Sequence, residues 1–369
     1  MKEAIDRFES ILRFASERQI SDVHFKAGQR PLYRRVGRLI SRREEPAFDA
    51  DTLSTIATHV LSGEEAAAFN RGVSQTAIYG LMGVGRFRVS VSRQRGGIAL
   101  AVRVLPSRAP VLRDLRLPQP VATLCNVEAG LVLLCGGRGE GRTTTAAAMI
   151  DAINTTSTHA RQICTIERPV EVIFDDKLAW IVQRGVGVDC ESIAAGVRDA
   201  LDSDADVVVI DEIADAAALT AAIDAAEAGK LVLAGVVALD VAATVRRLEG
   251  LVAADALPQL RARLAAQLVA MISQRLIPAS DNQRLLPAVE VLLSSPQVYG
   301  ILRGGHDPAA LYDIMAASNT VGMQTLDQSL HDMIRARALT VEAAMPYASR
   351  PQELTTMRSK GTGPEAGLF

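Results

Sequence analysis

Residues 131–144 read Leu131-Val132-Leu133-Leu134-Cys135-Gly136-Gly137-Arg138-Gly139-Glu140-Gly141-Arg142-Thr143-Thr144, and an Ala-rich run follows to Asn154. Five consecutive apolar residues suit a strand buried on both faces, and the run from Thr143 suits a helix. Between them, Gly136, Gly139 and Gly141 let the backbone turn sharply and bring its N–H groups close to an anion. The N-terminus of the following helix adds partial positive charge. The same residues also suit a plain strand-to-helix turn, and the loop alone leaves both readings open. A dinucleotide fingerprint fits worse, because the glycines run G-x-G-x-G and miss the G-x-G-x-x-G spacing.

Phosphate loops of the P-loop type follow G-x-x-x-x-G-K-[ST], in which the Lys reaches the β/γ-phosphates and the hydroxyl holds Mg²⁺. From Gly136 this chain gives G-G-R-G-E-G-R-T. The hydroxyl is kept as Thr143, with Thr144 beside it, but Arg142 stands where the Lys belongs. Arginine keeps the charge, yet its planar fork does not fill the place of a compact ammonium. Glu140 sets a negative charge into a loop built for an anion, so the expectation is repulsion of a bound phosphate.

Outward from the loop, strands alternate with helices: Gln162 to Ile166, Ser192 to Leu201, Val207 to Ile210, Ala216 to Ala228 and Leu231 to Val237. That alternation predicts a mainly parallel sheet covered on both faces. Arg261 to Leu276 sets Leu264, Leu268, Met271 and Ile272 on one side of a predicted helix, and a helix-rich region is expected to about Leu354. Upstream, Ile5, Phe8, Leu12 and Ala15 recur at helical spacing. Strand-like segments cover Asp22 to Phe25, Pro31 to Ile40, Ala77 to Tyr79, Arg86 to Ser92 and Ile98 to Leu105, with a helix over Asp51 to Leu61. Two prolines in Pro106-Ser107-Arg108-Ala109-Pro110 mark a linker. The predicted domains are therefore 1–108 and 109–354, with a flexible tail over 355–369.

The chain of 369 residues is 49% hydrophobic and 22% charged, enough apolar material for two cores. With 40 Lys+Arg against 42 Asp+Glu, the formal charge of −2 gives no bulk attraction to nucleic acid or to an anionic bilayer. Cys125, Cys135, Cys164 and Cys190 stand far apart, which argues against a zinc site or a disulfide framework. Acids at Glu3, Asp6 and Glu9 break the apolar start that a signal peptide needs, and no segment is apolar for long enough to span a membrane. The expected compartment is a reducing cytoplasm.

Seven stretches, GVGRFRVSVSRQRGGIALAVRVLP, GLVLLCGGRGEGRTTTAAAMIDAINTT, TIERPVE, QRGVGVD, ALTAAIDAAEAGKLVLAG, MISQRLI and GMQTLDQSL, follow one another in order. Together with the opening SDVHFKAGQRPLYRRVGRL, they resemble the type IV pilus retraction ATPases (PilT-like), within the type II/IV secretion motor ATPases. The resemblance covers nearly the whole chain. It implies an α/β fold with an N-terminal PAS-like domain and a C-terminal RecA-like P-loop domain. It further implies a hexameric ring and ATP with Mg²⁺ bound between the two domains.

Carried over position by position, the resemblance puts phosphate binding on Gly136, Gly139, Glu140, Gly141, Arg142, Thr143 and Thr144, with Thr143 as the metal ligand. It adds the arginines Arg86, Arg88, Arg93 and Arg95 over the triphosphate. Glu167 and Glu171 come from an acidic motif that reads Ile166-Glu167-Arg168-Pro169-Val170-Glu171 here, with Arg168 in place of the family Asp. Glu212 falls at the carboxylate that activates water. Asp211, Ala214 and Val237 replace a family Gly, Arg and His respectively. The segment Gln297 to Gly304 keeps only the apolar rhythm of its counterpart in retraction motors.

Two readings of function follow. One is an ATPase that drives pilus retraction and twitching motility from the cytoplasmic side of an inner-membrane pilus platform protein. The other keeps a ring subunit with degenerate nucleotide-site motifs, in a homo- or hetero-hexamer: either it binds ATP with weak or lost hydrolysis, or it is a non-catalytic regulator of an active paralogous PilT-like motor. No nucleic-acid partner is expected.

Overall fold

A computed structural model describes residues 1–18, 20–352 and 354; the tail expected over 355–369 lies outside the described residues. The chain divides into two compact units between Arg108 and Ala109.

Unit 1 contains helix α1 (Lys2–Glu17), strands β1 (Asp22–Lys26), β2 (Leu32–Arg35) and β3 (Arg38–Ser41), helices α2 (Ala50–Val60) and α3 (Gly63–Asn70), and strands β4 (Gln75–Leu81), β5 (Gly85–Gln94) and β6 (Gly97–Leu105). The strands form one antiparallel sheet in the order β3-β2-β1-β6-β5-β4. Alternation places Val23, Phe25, Phe87, Val89, Val91, Leu100 and Val102 on one face. There they share a core with Phe8, Leu12 and Ala15 of α1 and Leu53, Ile56 and Ala57 of α2. Phe25 is central, with its ring centroid 5.5 Å from Phe8 and 5.2 Å from Phe48. Asp49 starts α2 by accepting the Thr52 N–H at 2.7 Å.

Unit 2 contains α4 (Gln119–Leu124), β7 (Gly130–Cys135), α5 (Arg142–Thr156), β8 (Gln162–Glu167), β9 (Trp180–Gly185), α6 (Ile193–Asp202), β10 (Val207–Ile210), α7 (Ala216–Glu227) and β11 (Leu231–Val236). It continues with α8 (Val241–Glu249), α9 (Leu257–Gln267), β12 (Leu268–Pro278), β13 (Leu285–Leu293), α10 (Pro296–Gly304), α11 (Leu311–Ala317), α12 (Leu326–Arg335) and α13 (Val341–Ala344). The sheet order is β13-β12-β7-β11-β10-β8-β9, parallel except for β13. Every residue of β7, β10 and β11 is buried. Helix α5 packs on one face and helices α6 to α8 on the other. The α/β fold with a mainly parallel sheet is as expected. Because β7, β8, β10 and β11 run parallel, their carboxyl ends open onto one edge of the sheet, where such folds place ligands.

The expected helix over Arg261 to Leu276 is wrong beyond Gln267. Helix α9 ends there, and Leu268 begins β12, which pairs with β7 on one side and β13 on the other. A short apolar run buried on both faces has no period of its own, so helix and strand share the same pattern. The helix-rich expectation holds only after β13. Strand β9 also had no counterpart in the sequence reading.

Glu290 of β13 is 3% exposed and accepts the Val241 N–H at 2.7 Å, at the first residue of α8. Burial pushes its carboxyl up to about 8, with Asp240 and Asp327 adding to the rise and Arg275 opposing it. Between the ordinary glutamate value and about 8, the folded chain therefore holds a proton that the unfolded chain has released. Stability should fall as pH rises through that window, with the full contribution present only below it. We expect the melting temperature to drop by several degrees from pH 5 to pH 8, and Glu290→Gln to flatten that slope in thermal unfolding followed by circular dichroism.

Candidate nucleotide site

The loop 136–141 joins β7 to α5, as the sequence requires, and Gly141 precedes the helix at φ 90°. Two glycines are there because of close approach. A Cβ at Gly136 would lie 2.9 Å from the Gln274 carbonyl oxygen, and one at Gly141 would overlap the Gln274 side-chain amide. Gln274 is 5% exposed and accepts a hydrogen bond from Thr145 Oγ1 at 2.9 Å. It thus braces the loop and the first turn of α5 from β12. Gln274 carries no signal in the sequence beyond standing with Ser273 and Arg275 in the polar middle of MISQRLI.

Glu140 does not point into the loop as a free charge. Its carboxylate accepts the backbone N–H of Leu276 in β12, which ties the loop to that strand. The expected repulsion of phosphate is reduced by this bond. Thr143 and Thr144 are exposed at the start of α5, and Thr143 also lines the small cavity described below.

Arg142 turns the other way. Its Nη2 lies 3.5 Å from Glu212 Oε2, with side chains 14% and 28% exposed. Its Nη1 is buried with no hydrogen-bond partner, over Gly235 of β11. Gly235 is compelled by the backbone of the turn after β10. A Cβ there would overlap the Asp211 carbonyl oxygen and would lie 3.5 Å from Arg142 Nη1. The turn after β10 crosses β11 at this point, held by Asp211 N–H to Ile166 O at 3.1 Å and Ile213 N–H to Gly235 O at 2.8 Å. That crossing carries Glu212 to Arg142.

The acidic motif lies alongside. Glu167 Oε1 accepts Thr165 Oγ1 at 2.6 Å and Gln183 Nε2 at 3.4 Å, and Glu167 Oε2 accepts the Glu171 N–H at 3.4 Å. Burial pushes the Glu167 carboxyl up. Asp211 is pushed up to about 6, by burial first and then by Glu171, with Arg142 opposing. Arg142, Glu167 and Asp211 line a cavity of about 30 Å³ with Leu134, Phe174 and Gly235. It has room for a water molecule.

A larger pocket of about 360 Å³ opens beside the start of α5, lined by Gly141, Thr144, Gln274, Arg116, Arg284 and Leu286 among others. Its size falls within the range of small-molecule sites. After β11, Val237 is half-buried. Leu239, 51% exposed, reaches to within 3.7 Å of a Cβ at Gly137. Ser273 and Arg275 hold this segment by donating to Leu239 O at 3.2 and 3.1 Å.

The arginines of unit 1 do not form one group. Arg86 and Arg88 share the face of β5 opposite the core, and Arg88 is paired in register with Arg103, whose Nε donates to Asp22 at 2.9 Å. Arg93 has the other parity and stacks 4.6 Å over the Phe69 ring, while Arg95 sits in the β5–β6 turn at φ 49°.

The sequence profile of the type II/IV secretion system protein family matches residues 83–345. The chain is 30% identical to the type IV pilus ATPase PilU of Pseudomonas aeruginosa, over 97% of this chain and 93% of that one. It is 28% identical to PilT of the same organism, described as a type IV pilus retraction ATPase, over 93% and 98%. A crystal structure of the pilus retraction motor PilT with bound ADP superposes with a TM-score of 0.80 at 32% identity, over 94% of this chain and 98% of that chain. The ATPase DotB of Legionella pneumophila, at 22% identity and a TM-score of 0.78, shares the fold. The profile match, the near-full-length identity to PilU and the superposition on PilT together establish that the chain belongs to the type II/IV secretion system protein family, among the type IV pilus retraction ATPases.

Proposed function

We infer that the chain is a ring motor subunit of a type IV pilus or a related secretion system, that it binds ATP, and that its hydrolysis is slow or lost. The observation that carries this reading is the Arg142–Glu212 pair. It neutralises the cation that should meet the phosphates against the carboxylate that should orient water. A nucleotide must draw Arg142 out of a buried, partly paired position before the guanidinium can serve the phosphates.

The other parts of the site fit a nucleotide. The pocket beside Gly141 and Thr144 would take the nucleoside, and the loop and the N-terminus of α5 would take the phosphates. Among the described residues no cluster of three or more His, Cys, Asp or Glu side chains could hold a metal ion. A Mg²⁺ ion would instead be held by Thr143 and the nucleotide's own oxygens, and would neutralise phosphate charge. The names PilU and PilT, and the ADP in the related crystal structure, support this assignment. A hexameric assembly and an inner-membrane platform protein as partner belong to the same reading, as expectations of that family.

A second reading is a non-catalytic subunit working beside an active PilT-like paralogue. Val237 favours it, because an aliphatic side chain stands where the family's histidine would carry a proton. The test is phosphate release with Mg·ATP beside titration with a fluorescent ATP analogue. We expect saturable binding with turnover of ~0.1 s⁻¹ or less, about 10²-fold below a median enzyme. Several turnovers per second would overturn impaired hydrolysis, and no binding would overturn the site itself.

A further inference from the structure

The near-neutral charge of the chain hides an uneven division. Residues 1–108 hold eighteen Lys and Arg against eleven Asp and Glu, and the remainder is acidic. The excess is concentrated in one segment. From Arg30 to Arg43 there are six arginines (Arg30, Arg34, Arg35, Arg38, Arg42 and Arg43) and no acidic residue.

This segment is the β2–β3 hairpin, closed by Val36 and Gly37 at φ 48° and 75°. Strand β3 ends the sheet and pairs only with β2. All four of its residues are exposed. Leu32, Leu39 and Ile40 are 39%, 48% and 45% exposed. The pairs Arg34 with Leu39 and Tyr33 with Ile40 put the two β3 aliphatics on opposite faces, behind a turn flanked by the paired Arg35 and Arg38, so basic and aliphatic side chains interleave along the hairpin. Arg42 is engaged with Glu44 and Glu45, whereas Arg30, Arg38 and Arg43 are exposed.

Charges on an edge strand are a common guard against strand pairing. That guard explains the arginines but not the aliphatic tips set among them. Basic side chains interleaved with exposed aliphatics match a bilayer interface, where guanidinium groups meet headgroup phosphates and short apolar tips enter below them. Single-stranded nucleic acid is a poorer match because it needs an aromatic stacking platform, and the hairpin's only ring, Tyr33, is fully buried. We propose that the β2–β3 hairpin docks the chain onto an anionic phospholipid surface, independently of the nucleotide site.

The test is sedimentation of the full-length chain with vesicles of phosphatidylcholine alone and of phosphatidylcholine mixed with phosphatidylglycerol. Binding is expected only to the mixed vesicles and should weaken with salt. Arg38→Glu with Arg43→Glu should lower partitioning by about 25-fold or more, roughly 5-fold for each charge. Leu39→Ser with Ile40→Ser should lower it by about 10-fold while leaving the salt dependence in place. All four side chains are solvent-exposed, and unchanged thermal unfolding of each double variant would show that the fold is kept. The proposal is overturned by absence of binding to the mixed vesicles, or by equal binding to neutral ones. Binding to duplex DNA as tight as to vesicles, and indifferent to the serine variants, would reassign the surface to polyanions and overturn it as well.

Discussion

Arg142→Lys is expected to raise steady-state phosphate release by about 10²-fold, the scale on which one charge-stabilising donor acts in a transition state. The natural Arg142 is directed at Glu212, with one guanidinium nitrogen buried over Gly235. Lysine is a compact point charge on a flexible stem and has no planar fork to wedge between the two strands. It can turn to the loop, where the backbone of Gly136 to Gly141 and the hydroxyl of Thr143 already stand. Release of Glu212 from its partner adds to the effect, since that carboxylate becomes available to water. Two comparisons sharpen the experiment. Arg142→Lys combined with Glu212→Gln should return turnover to the natural level, because the gain depends on a free carboxylate. ATP affinity measured by titration should change far less than the rate. If Arg142→Lys leaves the rate unchanged or lowers it, the pairing with Glu212 is not what limits hydrolysis.

Gly235→Ala is expected to destabilise unit 2 by ~3 kcal/mol, at the upper end of what overpacking usually costs. A Cβ at this position collides with the Asp211 backbone carbonyl, and a backbone atom cannot move aside as the end of a side chain can. The collision falls where the turn after β10 crosses β11, so relief requires lifting the whole 211–213 turn. That would stretch the Ile213 N–H bond to Gly235 O and move Glu212 away from Arg142. The checking measurement is chemical unfolding of the variant beside Gly300→Ala. Gly300 lies in α10 with nothing within 4 Å of a Cβ, so alanine there should stabilise by about 0.5–1 kcal/mol. Equal stability of Gly235→Ala and the natural chain would mean that the turn is loose and the Arg142–Glu212 contact is not imposed by it.

Much of unit 2 was legible because its signals are local. The apolar strand Leu131 to Cys135 and the glycines after it fix a buried strand, a tight loop and a helix start within a few residues of one another. The failure at Arg261 to Leu276 has the same root. Leu268, Met271 and Ile272 lie in a strand because β12 pairs with β7, far back in the chain, as well as with its hairpin partner β13, and an apolar run buried on both faces does not announce the pairing with β7. The split of the unit 1 arginines was available from parity, since Arg86 and Arg93 are an odd number of residues apart on one strand. Treating Arg86, Arg88, Arg93 and Arg95 as one group ignored that alternation. The charge division between residues 1–108 and the rest was equally readable, and a whole-chain sum concealed it.

By itself, the sequence determined the P-loop-like junction, the α/β alternation and the family. These depend on backbone freedom at glycine, on short-range period and on ordered motifs, all of which are properties of contiguous residues. Only the tertiary structure decided where the side chains around the loop went. Glu140 is tied to β12, Arg142 is turned onto Glu212, Gln274 braces the loop, and Gly235 is forced by a carbonyl of the turn after β10. Each of these contacts joins residues brought together by strand order in a parallel sheet. Strand order is set by how the helices cover the two faces, so no local stretch of the chain encodes it.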